Sequence, residues 1–329
     1  MQFLDNRGGH DPYLNLALEE FCVRNLPAAG KYVLFYVNEP SIIIGKNQNT
    51  IEEINADYVA AHGVHVVRRI SGGGAVYHDH GNLNFSFIEP YRSGSVLKFA
   101  EFTAPVVRVL RELGVPAELT GRNDILADGR KISGNAQFFT AHKMFSHGTL
   151  LFASQLDNVS EALRVRAGKI ESKGLKSVRS RVANISEFLS RPMELEEFRE
   201  RLLAGLFAAV GGVTAHELSA ADWSAVEELA ASKYRQWSWN YGASPACNVQ
   251  RSQRYAIGEI DARLDVREGL IQSVRFFGDF LGERDVAELE ARLGGVRYEA
   301  AAIDAALAAV AVKDYFGGLT AGELRALLW

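Results

Sequence analysis

Cysteine is scarce in this chain of 329 residues: Cys22 and Cys247 are the only two, and they lie far apart. Two thiols cannot build a disulfide framework or a four-thiolate metal site, so a reducing compartment, the cytoplasm, is the economical reading. Long apolar runs are missing too. The longest, Leu202 to Val213, is interrupted by three glycines and is too short to cross a bilayer. The opening stretch MQFLDNRGGHDPYLN has neither a cationic start nor an apolar core, so no signal peptide is expected. Basic charge is not in excess either. Lys and Arg number 36 against 40 Asp and Glu, a net charge of -4 that argues against a dedicated nucleic-acid binder. With 8 prolines, 30 glycines and no repeat or low-complexity tract, collagen-like and wholly disordered classes are excluded as well.

What remains is a chain with 47% hydrophobic residues, long enough for about two domains. Asp11-Pro12 is a helix start, a capping carboxylate before a proline, and Leu14, Leu16, Leu18, Phe21 and Cys22 then fall largely on one face. KYVLFYV (31–37) and SIIIG (41–45) read as strands joined by a turn at Asn38-Glu39-Pro40, and HVVRR (65–69) reads as another. NLNFSFIE (82–89) alternates Leu83, Phe85 and Phe87 against Asn82, Asn84 and Ser86, predicting a strand with one wet, uncharged face. Helices are expected over 96–113, near 160–165, and at about 195–210 and 221–233. In ILADGRKIS, Asp128-Gly129 predicts a two-residue hairpin turn. Beyond Pro245 the pattern changes to two or three strands followed by helices, which predicts a small α+β second domain starting near Asn248.

The chemistry concentrates in RRISGGGAVYHDHGNLNFSF, Arg68 to Phe87. Gly72, Gly73 and Gly74 leave backbone N–H groups unshielded for close approach to a phosphate or carboxylate, and Arg69 adds a bidentate fork. No Gly-Lys-Ser/Thr follows and no helix comes next, so this is neither a P-loop nor a dinucleotide fingerprint; a tight turn is the plain alternative. In GRNDILADGRKISGNAQ (121–137) a regular hairpin would place Asp124, Lys131, Ser133 and Asn135 on one face, with lysine and aspartate about 7 Å apart on the diagonal. A solvated hairpin edge is the plain alternative there. His78-Asp79-His80 has no third ligand at a recognisable spacing and reads as strand-end histidines, and His147 either faces the same cleft or caps a strand. Seven basic residues lie between Arg164 and Arg181 against a single acid, Glu171, a local anion-attracting loop. Trp237 and Trp239 read as packing at a domain junction.

Together RRISGGGAVYHDHGNLNFSF, GRNDI with KISGNAQ, HGTL and KGLKSVRSRVANI (173–185) resemble the bacterial lipoate-protein ligases, and KYRQWSWNYGASP with the tail after it is similar to that family's accessory domain. The resemblance implies an α/β (α+β) fold: a biotin/lipoate ligase-type catalytic domain with a mixed sheet, residues 1–244, and a small α+β C-terminal accessory domain, residues 245–329. It implies ATP-dependent formation of lipoyl-adenylate, with pyrophosphate released, and transfer of the lipoyl group to a lysine. Carried over to matching positions, Lys131 is the catalytic residue and contacts both ATP and (R)-lipoate, while Arg69, Gly74, Ala75, Val76 and Tyr77 contact ATP. Ser71, Gly72, Gly73, His78, Asn82, Asn123, Asp124, Ser133, His147, Lys176 and Arg179 are supporting candidates. Mg²⁺ is expected to come with ATP, Asp124 being the candidate ligand, and no structural metal is expected. The implied partners are apo lipoyl domains of 2-oxoacid dehydrogenase E2 subunits and the glycine-cleavage H protein. No nucleic acid, no membrane and a monomer are expected.

Two rival readings stand beside this one. An octanoyl- or lipoyl-transferase of the same fold would need a pocket thiolate, and the motifs carry no cysteine. A non-catalytic acyl- or nucleotide-binding regulator would have no need of Arg69, the glycines and Lys131 together. The basic 164–181 loop is expected to close over the adenylate, and core-facing residues between Val66 and Phe87 to line an apolar slot for the acyl arm.

Overall fold

The computed structural model describes residues 1–91, 98–120, 123–163, 181–241, 249–267 and 269–329. They divide into two units: residues 1–43, 51–68 and 76–240 form the first, and 44–50, 69–75 and 241–329 the second. The second unit thus takes in two short segments from the N-terminal part of the chain.

Strands of the first unit are β1 (Gln2–Asp5), β2 (Tyr32–Tyr36), β3 (Ser41–Ile44), β4 (His65–Arg68), β5 (Val76–His78), β6 (Asn82–Pro90), β7 (Ala117–Thr120), β8 (Asp124–Ala127), β9 (Arg130–Phe139), β10 (Lys143–Leu151) and β11 (Ala215–His216). Its helices are α1 (Pro12–Asn25), α2 (Thr50–Glu53), α3 (Ala56–His62), α4 (Phe99–Glu112), α5 (Leu156–Ala162), α6 (Leu195–Phe207), α7 (Ala220–Leu229) and α8 (Trp237–Asn240). Eight strands form a mixed sheet in the order β11-β1-β2-β6-β10-β9-β8-β7, with β1 parallel to both its neighbours, and β4-β3-β5 form a smaller one. The two strands expected to share a turn at Asn38-Glu39-Pro40 therefore part company, β2 entering the large sheet and β3 the centre of the small one.

One face of the large sheet is the main core. Phe3, Val33, Phe35, Leu83, Phe85, Phe87, Met144 and Leu150 pack against Phe102, Val106 and Leu110 of α4 and Phe198, Leu202 and Leu206 of α6. Leu83, Phe85 and Phe87 thus belong to the packed core, and Asn82, Asn84 and Ser86 alternate with them on the opposite face of β6. That face is not wet, as its polarity suggested. Asn82, Asn84 and Ser86 are buried at 0%, 2% and 0% exposure.

Helix α1 lies on this polar side, touching both β6 and β10. Asp11 caps it as expected, accepting from the N–H groups of Tyr13 (2.8 Å) and Leu14 (3.3 Å). The helix is not one-faced, however, because residues 15–23 are all buried. Its polar members tolerate this by being partnered: Glu19 binds His147, and Glu20 binds Arg24, Lys233 and the Tyr234 hydroxyl.

Lys143, at the start of β10, is a buried lysine whose Nζ has no hydrogen-bond partner and lies 4.6 Å over the ring of Tyr32. Burial pushes its pKa below the ordinary lysine value. The unfolded chain then binds the proton more readily than the folded one, so the penalty is full below the depressed folded pKa and fades as pH rises past the unfolded value. Lys143→Met keeps the length and removes the charge. It should raise the melting temperature by about 2–4 °C near pH 7, roughly 1 kcal/mol, with the gain shrinking in alkaline buffer. Thermal denaturation of both proteins across pH checks this.

In the second unit, β12 (Val249–Tyr255), β13 (Gly258–Arg267) and β14 (Leu270–Gly278) form an antiparallel meander, followed by α9 (Val286–Leu293), α10 (Ala300–Leu307), α11 (Val312–Phe316) and α12 (Ala321–Leu328). Ile260, Ala262, Leu264, Val274, Phe276 and Phe280 pack on Leu289, Ile303, Phe316 and Leu324 in a core of its own, the α+β arrangement expected.

Candidate functional site

The β8–β9 hairpin carries the central lysine of the first unit. Asp128 (φ 47°) and Gly129 (φ 73°) form the tight turn, flanked by the pair Ala127–Arg130 as expected. Leu126 pairs with Lys131, but the register then slips, so Ile125 opposes Ser133 and Asp124 opposes Gly134. The bulge corrects the face reading from the regular hairpin. Asp124 and Lys131 stay together, while Ser133 and Asn135 turn to the opposite face, where the Asn135 amide donates to the Ser133 hydroxyl at 3.2 Å. Asn123 and Asn135 bond each other reciprocally through side-chain amides and backbone carbonyls, closing the hairpin's far end.

Lys131 Nζ sits 2.8 Å from Asp124 Oδ1, with both side chains a little over a third exposed. The lysine lies across Gly134: a Cβ there would meet its Nζ at 2.9 Å and its Cε at 3.1 Å. Gly134 donates its N–H to the Thr149 hydroxyl, and the Lys131 carbonyl accepts from the Ala183 N–H at 2.9 Å. An ammonium held by one carboxylate and laid over bare backbone is aimed, and a ligand can reach it.

Register places more candidates on the Lys131 side of the sheet. His147 pairs with Ala136 and with Ser86, and Thr149 with Asn84, so these residues share the face of Gly134. His147 is nearly buried, its Nδ1 2.9 Å from both oxygens of Glu19, its ring 4.6 Å from that of Phe145. Asn82 donates to Asn84, yet Asn82 Oδ1 and Ser86 Oγ are buried with no hydrogen-bond partner in the structure. His78 is buried at the end of β5, its Nδ1 accepting from Asn38, whose own carbonyl oxygen accepts from Asn15. Val76 and Tyr77 pair with Ile43 and Ile42, and burial raises the Tyr77 pKa. Sequence reasoning missed Glu19 and Thr149. Glu19 left a trace, since it stands four residues after Asn15 on the inward side of α1.

The glycine loop belongs to the second unit, together with segment 44–50. Gly73 alone of the three glycines needs a left-handed backbone (φ 93°), whereas a Cβ on Gly72 would meet Phe280 O and Leu281 Cδ2 at 2.8 Å. Arg69 is buried and turned onto its own loop. Its Nη2 donates to the carbonyls of Gly72 (2.7 Å) and Gly74 (2.8 Å), and its Nε to the Ser71 hydroxyl (3.1 Å). The loop is stitched to segment 44–50 by the Arg69 N–H to Ile44 carbonyl and Lys46 N–H to Ser71 carbonyl bonds, both 2.9 Å. Gly278 N–H donates to Asn47 O, and Lys46 Nζ pairs with Asp285 at 2.9 Å.

His78, Asp79 and His80 form no metal cluster. Asp79 accepts from the backbone N–H groups of Gly81 and Gln155, and His80 meets His10 edge-on. Among the described residues no group of three His, Cys, Asp or Glu could hold a metal ion. Cys22 is fully buried, and burial pushes its thiol pKa up, the reverse of an activated nucleophile. Lys176, Arg179 and most of the basic stretch lie outside the described residues, as does Cys247. A polar cavity of about 420 Å³ flanks the hairpin, lined by Arg130, Ser154, Gln155, Asp157, Asn184 and Glu187 among others. Among the described residues no helix is long and apolar enough to cross a membrane.

Residues 11–207 match the lipoyl protein ligase A/B catalytic domain, and residues 244–328 the bacterial lipoate protein ligase C-terminus. The sequence is 54% identical to lipoate-protein ligase LplJ of Bacillus subtilis (strain 168), covering 100% of both chains. A bi-partite archaeal lipoate protein ligase from Thermoplasma acidophilum, described with its E2 lipoyl domain, superposes with a TM-score of 0.66 at 30% identity, over 75% of this chain and 98% of that one. A lipoate-protein ligase A bound with ATP gives 0.64 at 29% identity, over 73% and 98%.

Proposed function

Because the chain belongs to the lipoate-protein ligase family, we propose that it activates lipoate with ATP and joins the lipoyl group to a lysine of lipoyl-domain proteins. The lipoate carboxylate attacks the α-phosphate, pyrophosphate leaves, and the acceptor amine then displaces AMP to form the amide. The observation that carries this reading is Lys131, paired with Asp124 and laid over Gly134 on a buried polar sheet face. Carboxylate and polyphosphate repel each other, and a held ammonium offsets that charge as it develops. Lys131 acts electrostatically and contacts both ATP and lipoate; Arg69, Gly74, Ala75, Val76 and Tyr77 contact the nucleotide.

Asp124 is paired with Lys131, and among the described residues no group of three His, Cys, Asp or Glu could hold a metal ion. Mg²⁺ belongs in this reading to the incoming MgATP substrate, where it neutralises phosphate charge. The division into a catalytic domain, 1–244, and an accessory domain, 245–329, and a cytoplasmic location complete the proposal. E2 lipoyl domains and the H protein are the acceptors, and an archaeal relative described with its E2 lipoyl domain supports that class.

Intact-mass measurement of an apo lipoyl domain incubated with this protein, lipoate, ATP and Mg²⁺ should show one added lipoyl group. No mass gain on any acceptor would overturn the reading. A gain that needs no ATP but requires an acyl-thioester donor in place of free lipoate would instead favour a transferase, a route disfavoured by the buried thiol of Cys22.

A further inference from the structure

Arg68 ends β4, at the edge of the small sheet and one residue before Arg69. An edge strand leaves main-chain groups to be satisfied elsewhere. Here Trp239 and Asn240 of α8 satisfy them. The Arg68 N–H donates to Asn240 Oδ1 (2.9 Å), and its carbonyl accepts from Trp239 Nε1 (2.8 Å). The guanidinium returns the contact, Nε donating to Trp239 O (3.0 Å) and Nη2 to Asn240 O (3.3 Å). Two side chains thus take the place of a neighbouring strand for a single residue.

The clamp is anchored behind. The Asn240 amide donates to the Tyr234 carbonyl at 2.6 Å, and Trp239 carries Lys233 Nζ 4.1 Å over its ring. Lys233 and the Tyr234 hydroxyl both reach the buried Glu20 at 2.7 Å, and residues 230–234 form a π-helical turn, a local widening that recurs at functional sites. Packing at a junction would need the rings alone. What the geometry adds is hydrogen bonding to both main-chain groups of one strand-end residue.

We propose that Trp239 and Asn240 are positioning residues for the ATP step: they hold Arg68, the residue to which Arg69 is bonded, at the end of β4. The inference rests on the ligase reading of that loop. Trp239→Phe keeps a ring over Lys233 and deletes the donor to the Arg68 carbonyl; Asn240→Ala deletes the acceptor for the Arg68 N–H and the donor to the Tyr234 carbonyl. Trp239→Phe should raise KM for ATP about fivefold while KM for lipoate stays within twofold, with Asn240→Ala showing the larger change. Amide hydrogen exchange at residues 69–75 should quicken in the same order, measured below the melting temperature of each protein. Where Asn240→Ala does not fold, Trp239→Phe decides alone. A folded Trp239→Phe variant with wild-type KM for ATP and wild-type exchange at 69–75 would overturn the clamp. A wild-type protein that releases no pyrophosphate from ATP would overturn the ligase reading instead, and the exchange measurement would still decide the clamp.

Discussion

Lys131→Ala should lower lipoate-dependent pyrophosphate release by about 10²- to 10³-fold and leave the fold standing. Both halves of the expectation come from where the residue sits. Its side chain is about one-third exposed and its pair with Asp124 equally so, and an ion pair of that kind is worth roughly 0–1 kcal/mol. Its strand does not depend on it: β9 is held between β8 and β10 by the ladder, and the Lys131 carbonyl bonds Ala183 whatever the side chain. The melting temperature should therefore move by no more than about 2 °C. Activity is another matter, because removing the ammonium takes away the held charge that offsets repulsion between the carboxylate and the phosphates. Lys131→Arg should not restore the rate, since a planar fork is bulkier than an ammonium and cannot lie across Gly134 in the same way. Pyrophosphate release alongside a thermal melt checks the pair of claims. Near-wild-type release from a folded Lys131→Ala variant would remove Lys131 from the chemistry.

How much of this was readable in the chain depends on the range of the interaction. Asp11-Pro12 and Asp128-Gly129 were legible because cap and turn are set by neighbouring residues. The bulge beside Lys131 was not: a register slip of one residue is decided by what both sheet faces must bury, and Ile125 and Ile132 both belong to the core. The alternation in 82–89 gave the right strand and the wrong environment, since polarity every second residue marks a face but not what covers it. Here α1 covers it, with Glu19 reaching across to His147. The same physics hid the second unit's claim on segments 44–50 and 69–75. Lys46 and Asp285 are 239 positions apart, and no local pattern joins them. The motif residues themselves were legible as a resemblance, which names residues but not the contacts that hold them.

Gly45→Ala should lower ATP-dependent activity by about 10²-fold, though residue 45 is not among the candidate ligand contacts. A Cβ there would stand 1.8 Å from the Gly73 carbonyl oxygen and 2.9 Å from its carbon. Real atoms do not approach so closely, and the obstacle is main chain, not the end of a flexible side chain. Something in the glycine loop must move. Gly73 is flanked by the two carbonyls that Arg69 holds, and its neighbours Ser71 and Arg69 are hydrogen-bonded to Lys46 and Ile44, so a shift at Gly73 strains the whole stitched pair of segments. Overpacking of this sort costs about 1–3 kcal/mol, and a misplacement of about 1 Å in a positioning element costs on the order of 10²-fold in rate. The expected result is a stable but slower enzyme, with ATP-dependent pyrophosphate release down about 10²-fold. Gly74→Ala is the stability control, because a Cβ there meets nothing within 4 Å and should leave the melting temperature unchanged. If Gly45→Ala retained ATP-dependent activity within threefold of wild type, the loop geometry seen here would not be the one the ATP step requires, and the stitching of residues 44–50 to 69–75 would be architecture only.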